Sequence, residues 1–286
     1  MPPLPRPPAE RVRDRLRRVA GEEVARAMPA GYQRLGSVLM LRLPARLRPY
    51  YREIGSSWQD ELGVATVAVH AGPVQGELRE PSIELVAGGE TETEVVEHGI
   101  RWRFDAAKIM FAQGNKSERL RVRRLVRPGE SVVDLFAGIG YFSIPAASSG
   151  PTSRVVAVEK NEVAFRYLVG NLRLNGVADR VAPILGDNRE VELPLGRADR
   201  VILGYLPRAT PWIPRAVELI QPRGGWLHLH TVVDAGAADA SAIAEAGEAL
   251  RAAGARLLSP PEAHVVKPYG PGRTHVVVDL HVASGP

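Results

Sequence analysis

Three acidic residues stand at the ends of three successive apolar runs in the second half of this 286-residue sequence. Asp134 ends SVVD and precedes the glycine-rich FAGIGYF, Glu159 ends RVVAVE, and Asp187 ends VAPILGD. Carboxylates accept hydrogen bonds from ribose hydroxyls and exocyclic amines, and glycines allow a ligand to approach the backbone. If these runs are neighbouring parallel strands, the acids meet at one edge of a sheet, which predicts a nucleoside site there.

The spacing of the glycine turn favours a nucleoside over a dinucleotide. Gly138 and Gly140 fit the first two positions of the G-x-G-x-x-G pyrophosphate pattern, whereas Ser143 stands where the third glycine belongs. Polar groups for a ribose, an amine and a ring nitrogen, with an incomplete pyrophosphate pattern, fit the adenosine of S-adenosylmethionine (SAM). The residues of these strand ends predicted to bind SAM are Asp134, Phe136, Gly138, Gly140, Glu159, Asp187, Asn188 and Gly204.

A fourth apolar run, VIL, leads into Gly204 and Tyr205. In SAM-dependent enzymes this strand end faces the sulfonium and the acceptor, and Asn or Asp followed by Pro-Pro there indicates methylation of an amine. Tyr205 supplies no such amide, so the sequence disfavours amine methylation, and we predict a catalytic role for Tyr205. The general base is not identified; Glu118, Asp187 and Tyr205 are candidates.

The elements that must position these residues follow from the order of apolar runs. After Ser131, strand patterns alternate with helix patterns, which predicts an α/β fold: a doubly wound, Rossmann-like sheet. The last two strand patterns are joined by PYGPGR, which predicts an antiparallel hairpin at the sheet edge. Short strand patterns before it predict a small mixed α/β domain. The predicted divisions are a basic amphipathic N-terminal helix (1–30), the small domain (31–105) and the SAM-binding domain (106–286).

The charge balance has two interpretations. A net charge of +5 and a pI near 9.7 favour a polyanionic partner such as RNA. However, only four of the 37 basic residues are lysines, which is typical of the codon bias of a GC-rich genome. The arginine-rich stretch AERVRDRLRRVAGEEVARAM is therefore expected to pack on the domain behind it, with an RNA-binding arm as the alternative.

Composition also limits the chemistry. With no cysteine, the chain has no disulfide, thiolate nucleophile or cysteine metal cage, and its seven histidines show no metal-binding spacing, so no metal is expected. No apolar run approaches the roughly 18 residues needed to cross a bilayer, and the N-terminus lacks the apolar core of a secretory signal. We therefore expect a soluble, cytoplasmic protein without membrane association.

Several longer motifs carry a family resemblance. The segments GELREP, HGIRWRFDAAKIMFAQGNKSERLRV, VVDLFAGIGYFSIPAA, VEKN, GDNRE and LGYLP occur in this order. In sequence and spacing they resemble the tRNA wybutosine-synthesis enzymes that transfer a 3-amino-3-carboxypropyl group from SAM, which are cousins of the tRNA guanine methyltransferases. The methylating cousins have Asn-Leu-Pro where this chain has Tyr205-Leu206-Pro207, so the resemblance implies aminocarboxypropyl transfer.

The resemblance also implies roles for residues outside the strand ends. It assigns SAM binding to Phe111 and Ala112, and to Arg119, whose guanidinium is suited to the methionine carboxylate. Family members often carry Ser at the position of Ala112, which would supply a hydroxyl. Arg79 in GELREP is predicted to face the acceptor, and stabilisation of the turn is an equal alternative.

The sequence leaves the identity of the acceptor open between a small molecule and tRNA. A high-GC bacterial origin favours a small phenol, as in the isonocardicin synthases of nocardicin-type β-lactam antibiotic biosynthesis, and Trp102, Phe111, Tyr205 and Trp212 are candidates to line its pocket. The first alternative is a wyosine-type base beside the tRNA anticodon. Further alternatives are tRNA guanine methylation and a non-catalytic RNA-binding module. The oligomeric state is not predicted.

Overall fold

The computed structural model describes residues 6–72, 74, 76–150 and 154–284. They divide into two compact units. The first unit runs to Val96 and includes Arg101–Phe111; the second comprises Glu97–Ile100 and the chain from Ala112. The domain divisions predicted from the sequence remain predictions, and residues 1–5 of the predicted N-terminal helix lie outside the described residues.

The first unit is a mixed α/β structure. Its sheet has the strand order β1-β2-β3-β4, in which β2 and β3 are parallel and the other pairs antiparallel, and β5 pairs with β6. The elements that lie wholly or mostly in this unit are α1 (Pro8–Val19), α2 (Glu22–Ala27), β1 (Tyr32–Leu35), β2 (Val38–Leu41), a 3-10 helix (Ala45–Tyr50), α3 (Tyr51–Leu62), β3 (Thr66–His70), β4 (Ile83–Ala87), β5 (Glu92–Glu97) and β6 (Ile100–Asp105).

The N-terminal stretch predicted as one helix forms two. Gly21, at φ +93°, interrupts the helical backbone between α1 and α2, because a left-handed residue cannot continue a right-handed helix. Val12 and Leu16 are buried in the core of the first unit with Val24, whereas Val19 is 59% exposed. The two helices therefore pack on their own unit through the apolar face that carries Val12, Leu16 and Val24.

The second unit contains the predicted doubly wound sheet. Its strand order is β9-β8-β7-β10-β11-β14-β12, with β13 also paired to β14. Its elements are a 3-10 helix (Gln113–Asn115), α4 (Lys116–Leu125), β7 (Ser131–Asp134), α5 (Ser143–Ala147), β8 (Arg154–Glu159), α6 (Glu162–Leu174), β9 (Val181–Leu185), β10 (Arg200–Leu203), a 3-10 helix (Thr210–Trp212), α7 (Ile213–Leu219), β11 (Gly225–Asp234), a 3-10 helix (Ala235–Ala237), α8 (Ala238–Ala252), β12 (Ala255–Leu257), β13 (Glu262–Gly270) and β14 (Arg273–Ser284).

The direction of these strands brings the predicted site residues to one edge. Strands β7 to β11 run parallel, and β14 runs antiparallel to β11 and to its hairpin partner β13. The predicted fold class and edge hairpin are thus confirmed. The central strands β7, β10 and β11 are buried on both faces, in agreement with their continuous apolar sequence, whereas the edge strand β9 is partly exposed. The carboxyl ends of the parallel strands form one edge, at which β7, β8 and β9 lie side by side.

A buried charge network ties α4 to the sheet. Arg121 donates to both carboxylate oxygens of Glu118, at 2.7 and 2.8 Å, and to Asp279 on β14, at 3.1 Å between Nη2 and Oδ1. Asp279 also contacts His228 on β11, with 2.6 Å between Oδ1 and Nδ1. These contacts fix the helix that carries Arg119 against the second unit's own sheet.

Candidate SAM site

The glycine turn after β7 requires glycine at two positions. Gly138 has φ +58° and Gly140 φ +104°, conformations that residues with a side chain rarely adopt. A Cβ at Gly140 would lie 2.6 Å from Cδ1 of Ile144, and one at Gly138 would lie 2.6 Å from the Tyr141 ring. The turn therefore keeps its bare backbone at the sheet edge, as the sequence predicted.

Asp134 supports this turn from inside. Its side chain is fully buried and accepts hydrogen bonds from the Ser143 hydroxyl, at 2.7 Å, and from the Phe136 amide, at 3.2 Å. Burial raises the pKa of Asp134 to about 6. Ser143, which breaks the dinucleotide pattern, is thus the partner that satisfies a buried carboxylate. Direct contact between Asp134 and SAM stays a prediction; its observed contacts position the turn.

Glu159 joins the second strand end to the glycine turn. Its Oε2 accepts from the Gly138 amide and its Oε1 from the Asn161 amide, both at 2.7 Å. Burial raises the pKa of the Glu159 carboxyl, and these amide hydrogen bonds oppose that shift. The Lys160 amide is a third backbone donor to this carboxylate, which has about four acceptor positions and therefore keeps the capacity to receive a ribose hydroxyl.

The third strand end carries Asp187 and Asn188, and the two side chains differ in how many of their hydrogen-bond acceptors are already occupied. Asp187 accepts from Lys160 at 3.0 Å and from the Arg189 guanidinium at 2.8 Å, and the hydrogen bonds from Arg189 hold the pKa of its carboxyl well below the usual range. Asn188 is buried and donates from Nδ2 to the Leu135 carbonyl at 2.7 Å. Among the described residues, its Oδ1 has no hydrogen-bond partner. Asn188 is therefore the better candidate than Asp187 to accept from an adenine amine.

The end of β10 is lined by aromatic rings. Tyr205 lies 5.1 Å from Phe136 and 5.1 Å from Trp212, measured between ring centroids. At Gly204, a Cβ would lie 3.2 Å from the Phe142 ring, so the small residue lets that ring approach the strand. The residue after Gly204 thus presents a half-buried phenol within a ring cluster, where the methylating relatives implied by the resemblance present an amide.

Arg119 is buried and paired within the second unit. Its Nε and Nη2 donate to Oε2 of Glu97, at 3.1 and 2.6 Å, and both Nη atoms donate to the Ala112 carbonyl at 3.3 Å. Its guanidinium carbon lies 5.9 Å from the Tyr141 ring centroid. Binding of the methionine carboxylate by Arg119 remains a prediction, and it requires the cation to be shared with Glu97.

Two predicted site residues belong to the first unit. The Phe111 ring stacks on Phe104 at 5.0 Å and packs against Trp102 at 5.8 Å, and both partners are buried. Arg79 adopts a positive φ of 57° in the turn between β3 and β4. Of the four aromatic residues proposed for an acceptor pocket, Trp102 and Phe111 pack together here, whereas Tyr205 and Trp212 pack together in the second unit.

The structure adds a buried histidine that the sequence did not single out, His230 in the middle of β11. Its ring is buried beside Phe142, with 5.0 Å between ring centroids, and its Nδ1 lies 3.0 Å from Nε2 of His275. Burial holds the pKa of His230 well below its usual value. Within the described part of the chain, its Nε2 has no hydrogen-bond partner. In the sequence HLHT this histidine was indistinguishable from His228, which is a core residue of the charge network.

These strand ends together fit an adenosine. The open glycine turn, the Glu159 carboxylate and the buried, unpartnered Oδ1 of Asn188 are the groups that could hold a nucleoside here, and their contact with SAM stays a prediction. Across residues 6–284, excluding the undescribed positions, no cluster of potential metal ligands is found. In the same described residues, no helix is both long and apolar enough to span a membrane.

Comparison with known proteins identifies the family. Residues 93–254 match the TRM5/TYW2 methyltransferase domain, and residues 12–91 match the TYW2 N-terminal domain. A Pyrococcus horikoshii protein named tRNA(Phe) (4-demethylwyosine(37)-C(7)) aminocarboxypropyltransferase is 37% identical over 272 residues, which cover 95% of this chain and 96% of that protein.

Two solved structures extend the similarity to the fold. Pyrococcus horikoshii TYW2 in complex with MeSAdo has a TM-score of 0.84 and 34% identity, covering 97% of this chain and all of that one. Methanocaldococcus jannaschii TYW2 in complex with AdoMet has a TM-score of 0.71 and 33% identity, covering 89% of this chain and all of that one. The predicted activity, SAM-dependent 3-amino-3-carboxypropyl transfer, is confirmed by these relatives. The chain belongs to the TRM5/TYW2 family.

Proposed function

We propose that the protein transfers a 3-amino-3-carboxypropyl group from SAM to a wyosine-type base of tRNA. The observation that carries the proposal is the 37% identity, over nearly the full length of both chains, to an enzyme named for this reaction. These relatives favour the tRNA alternative over the small phenolic acceptor, and nothing in them supports a role in antibiotic biosynthesis. Cytoplasmic localisation stays a prediction.

The strand ends support SAM binding in a defined orientation. Glu159 is suited to the ribose hydroxyls, Asn188 to the adenine, and Arg119 to the carboxylate of the methionine arm. When bound, SAM supplies a sulfonium whose adjacent carbons are open to nucleophilic attack. The protein decides which carbon reacts by holding one of them in line with the acceptor, so positioning determines the product.

The transfer forms one covalent bond and breaks another. A bond forms between the acceptor and the methylene carbon of the aminocarboxypropyl arm, the bond from that carbon to sulfur breaks, and methylthioadenosine leaves with the sulfur electron pair. The acceptor loses one proton. Glu118 and Asp187 are engaged in ion pairs and Tyr205 lies in a ring cluster, so none is a free general base in this structure.

Methylation is disfavoured by the end of β10. A methyltransferase of the kind implied by the resemblance uses an amide at the position of Tyr205, and this chain offers only a phenol there. A non-catalytic RNA-binding module is disfavoured because Glu159 and Asn188 keep free acceptor capacity at the strand ends.

The proposal is tested by mass spectrometry of nucleosides from tRNA incubated with the protein and SAM. Transfer adds about 101 Da to the base, whereas methylation adds about 14 Da, because these are the masses of the groups moved. We expect the larger gain on tRNA carrying 4-demethylwyosine and no gain on the same tRNA with unmodified guanine. A gain only on phenolic β-lactams, or only of the smaller mass, contradicts the proposal.

A further inference from the structure

Three of the five arginines of α1 pair with acidic side chains of the first unit. Arg15 pairs with Asp60 at 2.9 Å and Arg17 with Glu22 at 2.8 Å, while Arg13 donates to the Met28 carbonyl at 2.8 Å. Arg11 also pairs with Glu61. The helix that is most arginine-rich in sequence therefore presents less unpaired positive charge than its composition implies.

The unpaired charge of the first unit is concentrated elsewhere, in the segment 42–52, RLPARLRPYYR, which we call the arginine segment. It contains no acidic residue. Arg42, Arg46 and Arg52 are exposed and make no hydrogen bond or ion pair with any described residue. Arg48 makes one ion pair with Glu84, at 3.4 Å, between side chains that are 72% and 42% exposed, and such exposed pairs contribute little.

The backbone holds these side chains on a fixed scaffold. The arginine segment begins directly after β2, forms the 3-10 helix Ala45–Tyr50 and continues into α3. Leu47 is buried in its middle, and Ile54 and Trp58 anchor α3 in the core of the first unit. The arginines thus project from an ordered helical turn, which lowers the entropic cost of binding an extended ligand.

The arginine segment lies at the same edge of the small sheet as the turn that carries Arg79. Strands β2 and β3 are parallel, with Leu41 opposite Val69, so the residues that follow both strands emerge at one edge. The β3–β4 turn contains Arg79, which the sequence predicted to face the acceptor. Arg42 also lies close enough to His70, the last residue of β3, to lower the pKa of that histidine, although burial is the larger cause.

The chemistry of the segment fits a nucleic acid. Guanidinium groups bind phosphates bidentately, and several of them without acidic neighbours release counterions from a polyanion. Tyr50, 37% exposed, stands among the arginines and offers a ring on which an unpaired base can stack. We infer that the arginine segment binds the phosphate backbone of the acceptor RNA, an inference that rests on the proposed function for the identity of that RNA.

The test compares two triple variants with the same loss of charge. The first carries Arg42→Gln, Arg46→Gln and Arg52→Gln. The control carries Arg173→Gln, Arg197→Gln and Arg256→Gln, which remove three arginines of the second unit that are also exposed and also unpaired with described residues. Binding of each to tRNA is measured without SAM by filter retention at several salt concentrations, and circular dichroism checks that both variants fold.

We expect the first variant to bind tRNA roughly 10–100-fold more weakly at about 0.1 M salt, with a log Kd against log salt slope lower by about 2, while the control changes less than threefold. Equal affinities of the two variants would overturn the inference. Binding of the same variants to phosphatidylserine vesicles is measured in parallel. If the first variant loses vesicle binding while its tRNA binding is unchanged, the partner is a membrane surface and the inference is also overturned. Because the assay needs no catalysis, it gives its answer even if no group transfer to tRNA is found.

Discussion

At the scale of single residues, the site depends on polar side chains that hydrogen-bond to the protein and still have an acceptor position for a ligand. The Glu159 carboxylate accepts backbone hydrogen bonds from the glycine turn and from the residues just before α6, and keeps acceptor capacity for a ligand. Asn188 keeps a buried oxygen without a partner among the described residues. Both residues were predicted from their place at strand ends. Their hydrogen bonds to the glycine turn and to Leu135 could not be predicted, because these partners are distant in sequence and meet only in the folded unit.

The contribution of Glu159 can be measured by substitution with Gln. The amide keeps the size of the side chain but loses the charge and one acceptor oxygen, and hydrogen bonds to charged groups contribute about 1.5–3 kcal/mol. We expect calorimetry to show a Kd for SAM about 10–100-fold higher. Glu162→Gln, three residues away and 71% exposed, should stay within twofold. Equal effects of the two substitutions would refute the ribose assignment.

Asp134 should make stability depend on pH in an unusual direction. Its folded pKa of about 6 exceeds the ordinary value of 3.8, so the folded state binds more protons between about pH 4 and 6. Wild-type stability relative to Asp134→Asn should therefore fall as the pH rises through that interval, by an amount on the order of 3 kcal/mol.

This comparison is made by urea unfolding at pH 4, 5, 6 and 7, because the difference between the two proteins removes the titration of the other groups. A difference that stays constant with pH would show that the buried carboxyl has an ordinary pKa, and one that grows in favour of the wild type as the pH rises would show that its pKa is lowered; either result contradicts the prediction.

At the scale of elements, helix α4 is fixed by ion pairs as well as by apolar packing. Glu118 and Asp279 have side chains that are 3% and 7% exposed, and Arg121 is their shared partner. Removing one member of a buried ion pair leaves uncompensated charge in the interior. The arginine therefore holds in place the helix that carries Arg119.

Substitution of Arg121 by Met should lower the free energy of unfolding by about 3 kcal/mol, because it leaves two buried carboxylates short of a partner. Arg124→Met on the same helix is the matched control, since Arg124 is exposed and unpaired with described residues; it should change stability by less than about 0.5 kcal/mol. Chemical denaturation measures both. Comparable losses in the two variants would mean that the network does not stabilise α4.

The strand and helix order of the second unit was predictable because its runs are long and strongly periodic. The short strand β12 was not, because three residues carry no periodic signal. Strand β5 escaped notice because TETEVVE is mostly polar, although Thr93 and Val95 are buried. The pairing of Arg119 with Glu97 joins residues 22 positions apart and depends on the folded chain, so no local pattern revealed it.

At the scale of the whole molecule, the net charge alone does not indicate where a polyanionic partner would bind. The arginines differ in their effect, since Arg11, Arg15 and Arg17 of α1 form ion pairs within the first unit, whereas most arginines of the arginine segment form none with described residues. The net charge of +5 therefore says less about the partner than the location of the unpaired guanidinium groups. Paired and unpaired arginines could be told apart only in the folded structure.

In the proposed reaction, the protein presents the aminocarboxypropyl arm of SAM, and not its methyl group, to the acceptor. The most direct measurement is chromatography with mass spectrometry of the small-molecule product after turnover with SAM deuterated in its methyl group. We expect deuterated methylthioadenosine, with no label in the RNA. Formation of S-adenosylhomocysteine, with the label in the RNA, would show that the protein transfers the methyl group instead and would contradict the proposed function.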